Sequence, residues 1–137
     1  MKQTVLIGAL CIFVTAAYAT EQPKGEAKID PTQVVRDPHG HAFLPCGVDG
    51  PKDCEKDQTL GFFVYLALGA HTTPSPDPEV AARAALGWKI YEATTPIEIS
   101  EAQRVMIRKA LFANIQMPNV AYATCRMIGD PSECDKP

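Results

Sequence analysis

Apolar residues fall at helical spacing in four stretches of this chain, and ahead of them lies a short segment punctuated like a β-turn. The first stretch, Leu60 to Leu68, carries no charge, and Leu60, Phe63, Val64, Ala67 and Leu68 stand at i, i+3, i+4, i+7 and i+8. A buried helix is expected there, stopped by Gly69, with a central strand as the alternative because of its β-branched and aromatic content. Pro74, Pro76 and Pro78 keep the following linker extended. Asp77 before Pro78 has the form of an N-cap followed by proline at the first helical position, which predicts a helix from Pro78 to about Ala93. Val80, Ala84, Gly87, Trp88 and Tyr91 share one face of it, and Gly87 within that face predicts the close approach of another backbone.

Thr94-Thr95-Pro96 breaks this helix, and Ser100 with Gln103 forms a capping box that opens the next at Glu101 and carries it to about Gln116. Its apolar residues cover more than half the circumference and leave Glu101, Arg104 and Arg108 as a narrow wet stripe, so this helix is expected in the middle of the domain. Pro118-Asn119 restarts the chain, and Val120, Ala123, Thr124, Met127 and Ile128 mark a short final helix ended by Gly129, Asp130 and Pro131. Upstream, Gln33 to Arg36 and His41 to Leu44 flank Asp37-Pro38-His39-Gly40, the residue order of a type I turn, which predicts a hairpin. The fold class is mainly α: a short N-terminal β-hairpin followed by a compact, disulfide-stapled bundle of three to four helices.

The N-terminus changes the compartment. Lys2, the apolar run Val5 to Ala16 and Ala17-Tyr18-Ala19 have the layout of a secretory signal peptide over residues 1–19. The run is shorter than the roughly 20 residues of a membrane span, so export without a stable membrane anchor is expected, to a periplasm or beyond. Residues 20–31, rich in Glu, Lys, Gln and Pro, are read as a flexible polar tail, 32–130 as one domain and 131–137 as a C-terminal tail.

An oxidising destination turns Cys46, Cys54, Cys125 and Cys134 into two expected disulfides. Three connectivities are open, and the close pairs suggest Cys46 with Cys54 and Cys125 with Cys134. Gaps of seven and eight residues do not match the knuckles of a four-cysteine zinc site. The formal net charge of −3, with scattered basic residues, leaves no footprint for nucleic acid.

Candidate chemistry is sparse. Ser75, Ser100 and Ser132 each have a local structural role and no nucleophile elbow is present. Glu92, Glu98 and Glu101 are the one carboxylate cluster near apolar elements that suits a cell-wall-directed hydrolase. His39 and His41, with Asp37, suggest weak metal or small-ligand binding, while His71 stands alone in a linker. Trp88 and Tyr91, with Phe62 and Tyr65, read as core residues that become a partner surface if they are exposed.

The order of these motifs resembles a group of small tailed-phage and prophage proteins. The resemblance lies in the turn Asp37 to Gly40, the helix start Gln58-Thr59-Leu60-Gly61, the segment Trp88-Lys89-Ile90-Tyr91, and Ile97-Glu98-Ile99-Ser100 leading to Ile107-Arg108-Lys109. It spans about residues 33–128 and implies a hairpin followed by helices in a phage or prophage setting, with no substrate, cofactor or catalytic residue attached. The expected function is that of an exported, non-catalytic interaction module whose partner is an envelope or phage protein.

Overall fold

The computed structural model describes residues 26–43, 58–70 and 74–135. The proposed signal peptide, Cys46, Cys54 and His71 lie outside the described residues. In chain order the elements are β1 (Ala27–Ile29), α1 (Leu60–Ala67), α2 (Pro78–Glu92), β2 (Ile97–Ile99), α3 (Glu101–Asn114), α4 (Pro118–Ile128) and α5 (Pro131–Cys134).

Helix α1 sits at the centre, packed by α2, α3 and α4. Leu60, Phe63, Val64, Ala67 and Leu68 are all buried, as their spacing predicts. Eight residues are too few for a helix to hold itself together in water, so α1 depends on its surroundings. Being buried at its ends, it also needs partners for the backbone groups that no helix satisfies internally. Leu60 N–H donates to the Gln33 carbonyl (2.8 Å) and Gly61 N–H to the Pro31 carbonyl (2.9 Å). Phe62 N–H donates to the Thr59 hydroxyl (3.3 Å). At the other end Gly69 takes φ +72°, so that its N–H reaches the Leu66 carbonyl (3.1 Å) and Ala70 N–H reaches that of Tyr65 (3.2 Å), a Schellman turn. The Ala67 carbonyl accepts from Asn114 Nδ2 at the end of α3 (2.7 Å).

Asp77 caps α2 as expected, accepting from Glu79 N–H at 2.9 Å with proline at the first position. The close approach signalled by Gly87 is present and reciprocal. A Cβ at Gly87 would stand 3.0 Å from Ala70 Cβ and 3.4 Å from Tyr65 Cα, and one at Gly61 would stand 3.2 Å from the Ile90 carbonyl oxygen and from Pro31. The predicted apolar face of α2 is rotated, however: Gly87 and Ile90 are its buried residues, and Trp88 and Tyr91 lie outside. Only the strip without a side chain at position 87 lets the two backbones meet, and that strip carries Ile90 inward.

Of the expected hairpin, whose last residue Leu44 lies outside the described residues, the turn and one flanking bridge are present. Gly40 N–H donates to the Asp37 carbonyl (2.9 Å) with φ +86° at Gly40, and Arg36 bridges Ala42. The strand before the turn is diverted: Val34 bridges Thr59 and Val35 N–H donates to the Gln58 carbonyl (2.8 Å), which stitches this segment to the start of α1. The sheet forms elsewhere, where β1 and β2 pair antiparallel with Ala27 opposite Ile99, Lys28 opposite Glu98 and Ile29 opposite Ile97. Residues 26–31 are therefore structured rather than part of a flexible tail. Ile29 and Ile99 enter the core, and Lys28 faces Glu98 on the outer side, a favourable cross-strand charge pair.

Both bonds of the Ser100–Gln103 capping box form, yet α3 does not take the centre. It buries Ile107, Ala110 and Leu111 and leaves Ala102, Phe112 and Ala113 exposed. The uncharged α1 has nowhere else to go, whereas α3 carries charges that must reach an edge. Its presumed wet stripe is half-buried against α5: Arg108 Nη1 lies 2.7 Å from Glu133, and Arg104 bonds Glu101 and lies 3.8 Å from Glu133. The predicted C-terminal tail correspondingly contains α5, capped by Asp130, whose carboxylate accepts from Ser132 N–H (2.9 Å). Buried Cys134 is bonded to Cys125, the local pairing that their spacing suggests. In the chain-entropy model a loop of this size contributes about 2.6 kcal/mol.

Two substitutions test this architecture. Asn114→Ala leaves the Ala67 carbonyl without its donor and is expected to cost about 1–2 kcal/mol in urea unfolding, with no rescue by Asn114→Asp, which cannot donate. Gly87→Val, which forces the α1–α2 crossing apart, is expected to cost about 2–3 kcal/mol in the same measurement. Wild-type stability in either variant refutes the corresponding contact.

Candidate functional site

Phe62 and Tyr65 are three residues apart on α1, and Trp88 and Tyr91 are three apart on α2, so each pair occupies one helix face. The glycine-bounded crossing brings the two faces together. Tyr65 meets Trp88 edge-on with ring centroids 4.9 Å apart and an interplanar angle of 72°, and it lies 4.9 Å from Tyr91. Trp88 and Tyr91 are 6.0 Å apart, and Phe62 is 6.3 Å from Tyr91. Phe63, by contrast, points into the core. The four residues singled out from the sequence thus form one aromatic cluster. Its outer members remain solvent-facing, Trp88 with 43% of its surface exposed and Tyr91 with 38%. Stacked and edge-on pairs contribute about 0.5–1.5 kcal/mol each beyond their burial, which fixes the rings in place.

The histidine turn is organised by Asp37. Its Oδ1 accepts from His39 N–H and His41 N–H, both at 2.8 Å, and its Oδ2 lies 3.6 Å from His41 Nδ1. The His41 N–H bond in particular holds the Asp37 carboxyl below its ordinary pKa range. His39 occupies the turn, and the two imidazole centroids are 6.5 Å apart. Among the described residues no group of three His, Cys, Asp or Glu side chains is placed to hold a metal ion.

The three glutamates have separate local settings. Glu92 ends α2 on the surface, Glu98 is the outward residue of β2 opposite Lys28, and Glu101 is bonded to Arg104.

A feature the sequence reading missed is an open groove of about 830 Å³ between the Asp37 turn and α4. One wall is the α4 stripe Tyr122, Ala123, Arg126 and Met127; the other is Val34, Arg36, Pro38 and Phe43. Ala123 and Met127, expected in the buried face of α4, are only partly covered because that face turns on Val120, Ala121, Thr124, Cys125 and Ile128. Asn119, Tyr122, Ala123, Arg126 and Met127 stand at i, i+3, i+4, i+7 and i+8, which was the available signal, but the opposite wall comes from a distant segment.

No protein-family model, curated protein or solved structure matches the chain.

The depressed Asp37 pKa gives a signed expectation. A carboxylate whose folded pKa lies below its unfolded one contributes stability that is complete above the unfolded value and is lost as the pH falls through the folded value. Asp37→Asn keeps the acceptor oxygen and removes the charge. The wild type is expected to melt higher than this variant between neutral pH and about pH 5, and the gap should close at lower pH. A gap that persists in strong acid would assign the turn's stability to something other than the carboxylate charge.

Proposed function

We propose that the chain is an exported, non-catalytic interaction module that docks onto an envelope or phage protein through Phe62, Tyr65, Trp88 and Tyr91. The observation carrying this reading is the exposure of Trp88 and Tyr91 on a fixed aromatic base. Tryptophan and tyrosine are enriched among residues that dominate interface energy, because a rigid ring desolvates a large area at little entropic cost. Phe112 and Met117 are also exposed, at 36% and 43%, but join no ring cluster among the described residues.

The signal-peptide layout and the Cys125–Cys134 bond support an exported location, and among the described residues no helix is long and apolar enough to cross a membrane. The resemblance to small tailed-phage proteins makes a phage or envelope protein the natural class of partner. The local settings of the three glutamates favour the non-catalytic reading over a hydrolase.

The test places a photo-crosslinking amino acid at position 88, and separately at Phe112, in cells that produce the protein natively. A discrete adduct is expected from position 88 and not from 112, and Tyr91→Ala should abolish it. Once the partner is purified, Trp88→Ala is expected to weaken binding by about 30-fold, roughly 2 kcal/mol, with Phe112→Ala near wild type. Equal adducts from both positions, or none from position 88, would refute the assignment.

A further inference from the structure

We propose that the groove between the Asp37 turn and α4 is a binding site for a small anionic amphiphile, an apolar chain ending in a carboxylate. At about 830 Å³ it falls within the range of roughly 300–1,000 Å³ typical of small-molecule sites. Val34, Pro38, Phe43, Ala123 and Met127 give its walls an apolar character suited to a hydrocarbon body.

Charge selects the head group. Arg36 Nη1 donates to the Gly40 carbonyl (3.0 Å), and the Arg126 guanidinium carbon lies 5.7 Å from the centre of the Tyr122 ring. Both cations are thus held by uncharged groups, and neither has a carboxylate partner among the described residues. Asp37, the one acid among the described lining residues, already accepts two backbone N–H bonds and faces His41. The described lining therefore holds two positioned guanidinium groups and one carboxylate that is already engaged, in a chain whose formal net charge is −3. Such a lining attracts an anion and can bind a carboxylate through charge-assisted hydrogen bonds.

A small amphiphile fits better than an acidic peptide. An extended peptide brings a donor and an acceptor at every residue, and among the described residues the walls answer with only two neutral polar side chains, Asn119 and Tyr122. Two of the wall positions, Pro38 and Pro118, also lack a backbone N–H. The groove shares no residue with the aromatic cluster, so this site stands or falls independently of the docking reading.

The test titrates the purified protein with dodecanoate below its micelle concentration, by calorimetry and amide NMR, beside dodecanol and dodecylammonium. Dodecanoate is expected to bind one-to-one with shifts centred on Val34, Tyr122 and Arg126. The neutral and cationic analogues should bind at least about ten-fold more weakly, and Arg36→Gln and Arg126→Gln, both at exposed positions, should each cost dodecanoate about ten-fold. The proposal is overturned by the absence of binding, by equal affinity for all three amphiphiles, or by affinity unchanged in both arginine variants. It is equally overturned if an acidic, apolar peptide binds with the arginine dependence that dodecanoate lacks.

Discussion

A short helix with no charged residue, buried along one face and at both ends, imposes the constraint around which this protein is arranged. The backbone groups at the ends of α1 would be costly to leave unpaired away from water, and four separate segments supply their partners. Pro31 and Gln33 serve the N-terminal donors together with Thr59, the turn at Gly69 serves two carbonyls, and Asn114 serves a third. The segment before the Asp37 turn is drawn out of a hairpin for this reason. Its backbone is more valuable against α1 than against the residues that follow the turn.

The second requirement, lateral cover, is met most closely by α2. With no side chain at Gly61 and Gly87, the two backbones come within side-chain distance of each other at both ends of the crossing. That contact decides the rotation of α2, sending Ile90 inward and setting Trp88 and Tyr91 beside Phe62 and Tyr65. The place of the surface cluster is therefore set by the core. On the opposite side of the bundle a different device closes the domain, where the Cys125–Cys134 bond and the Arg104 and Arg108 contacts to Glu133 hold α5 in place.

What was legible in the sequence was local. The starts of α2 and α3 were readable because Asp77-Pro78 and Ser100 with Gln103 carry their caps within a few residues, and α1 because its apolar spacing is unbroken. The strands β1 and β2 were not: each is three residues long, and Ala-Lys-Ile gains meaning only when paired with Ile-Glu-Ile some seventy positions away. The apolar circumference of α3 argued for a central place, but a helix pattern read alone is blind to competition from α1. Arg104 and Arg108 looked solvated because their partner, Glu133, lies beyond a turn taken for the chain's loose end. For the candidate sites, the i, i+3 aromatic pairs could be named in advance, whereas their meeting depended on the pairing of Gly61 with Gly87. The groove, built from segments about eighty residues apart, had no local signature.

The exposed aromatics are not something this fold requires. Lys89 and Glu92 alternate with Trp88 and Tyr91 on the final turns of α2 and are themselves exposed, so polar residues are compatible with the helix there. The crossing needs Gly87 and Ile90, and Tyr65 could be covered by the stem of a long polar side chain without leaving an indole in water. Retaining two large rings more than a third exposed forgoes the burial that usually justifies them, about 25 cal/mol for each Å² left in contact with solvent. In a small domain with modest stability to spare, that arrangement is explained more readily by a surface that is covered in use than by the packing of the isolated chain.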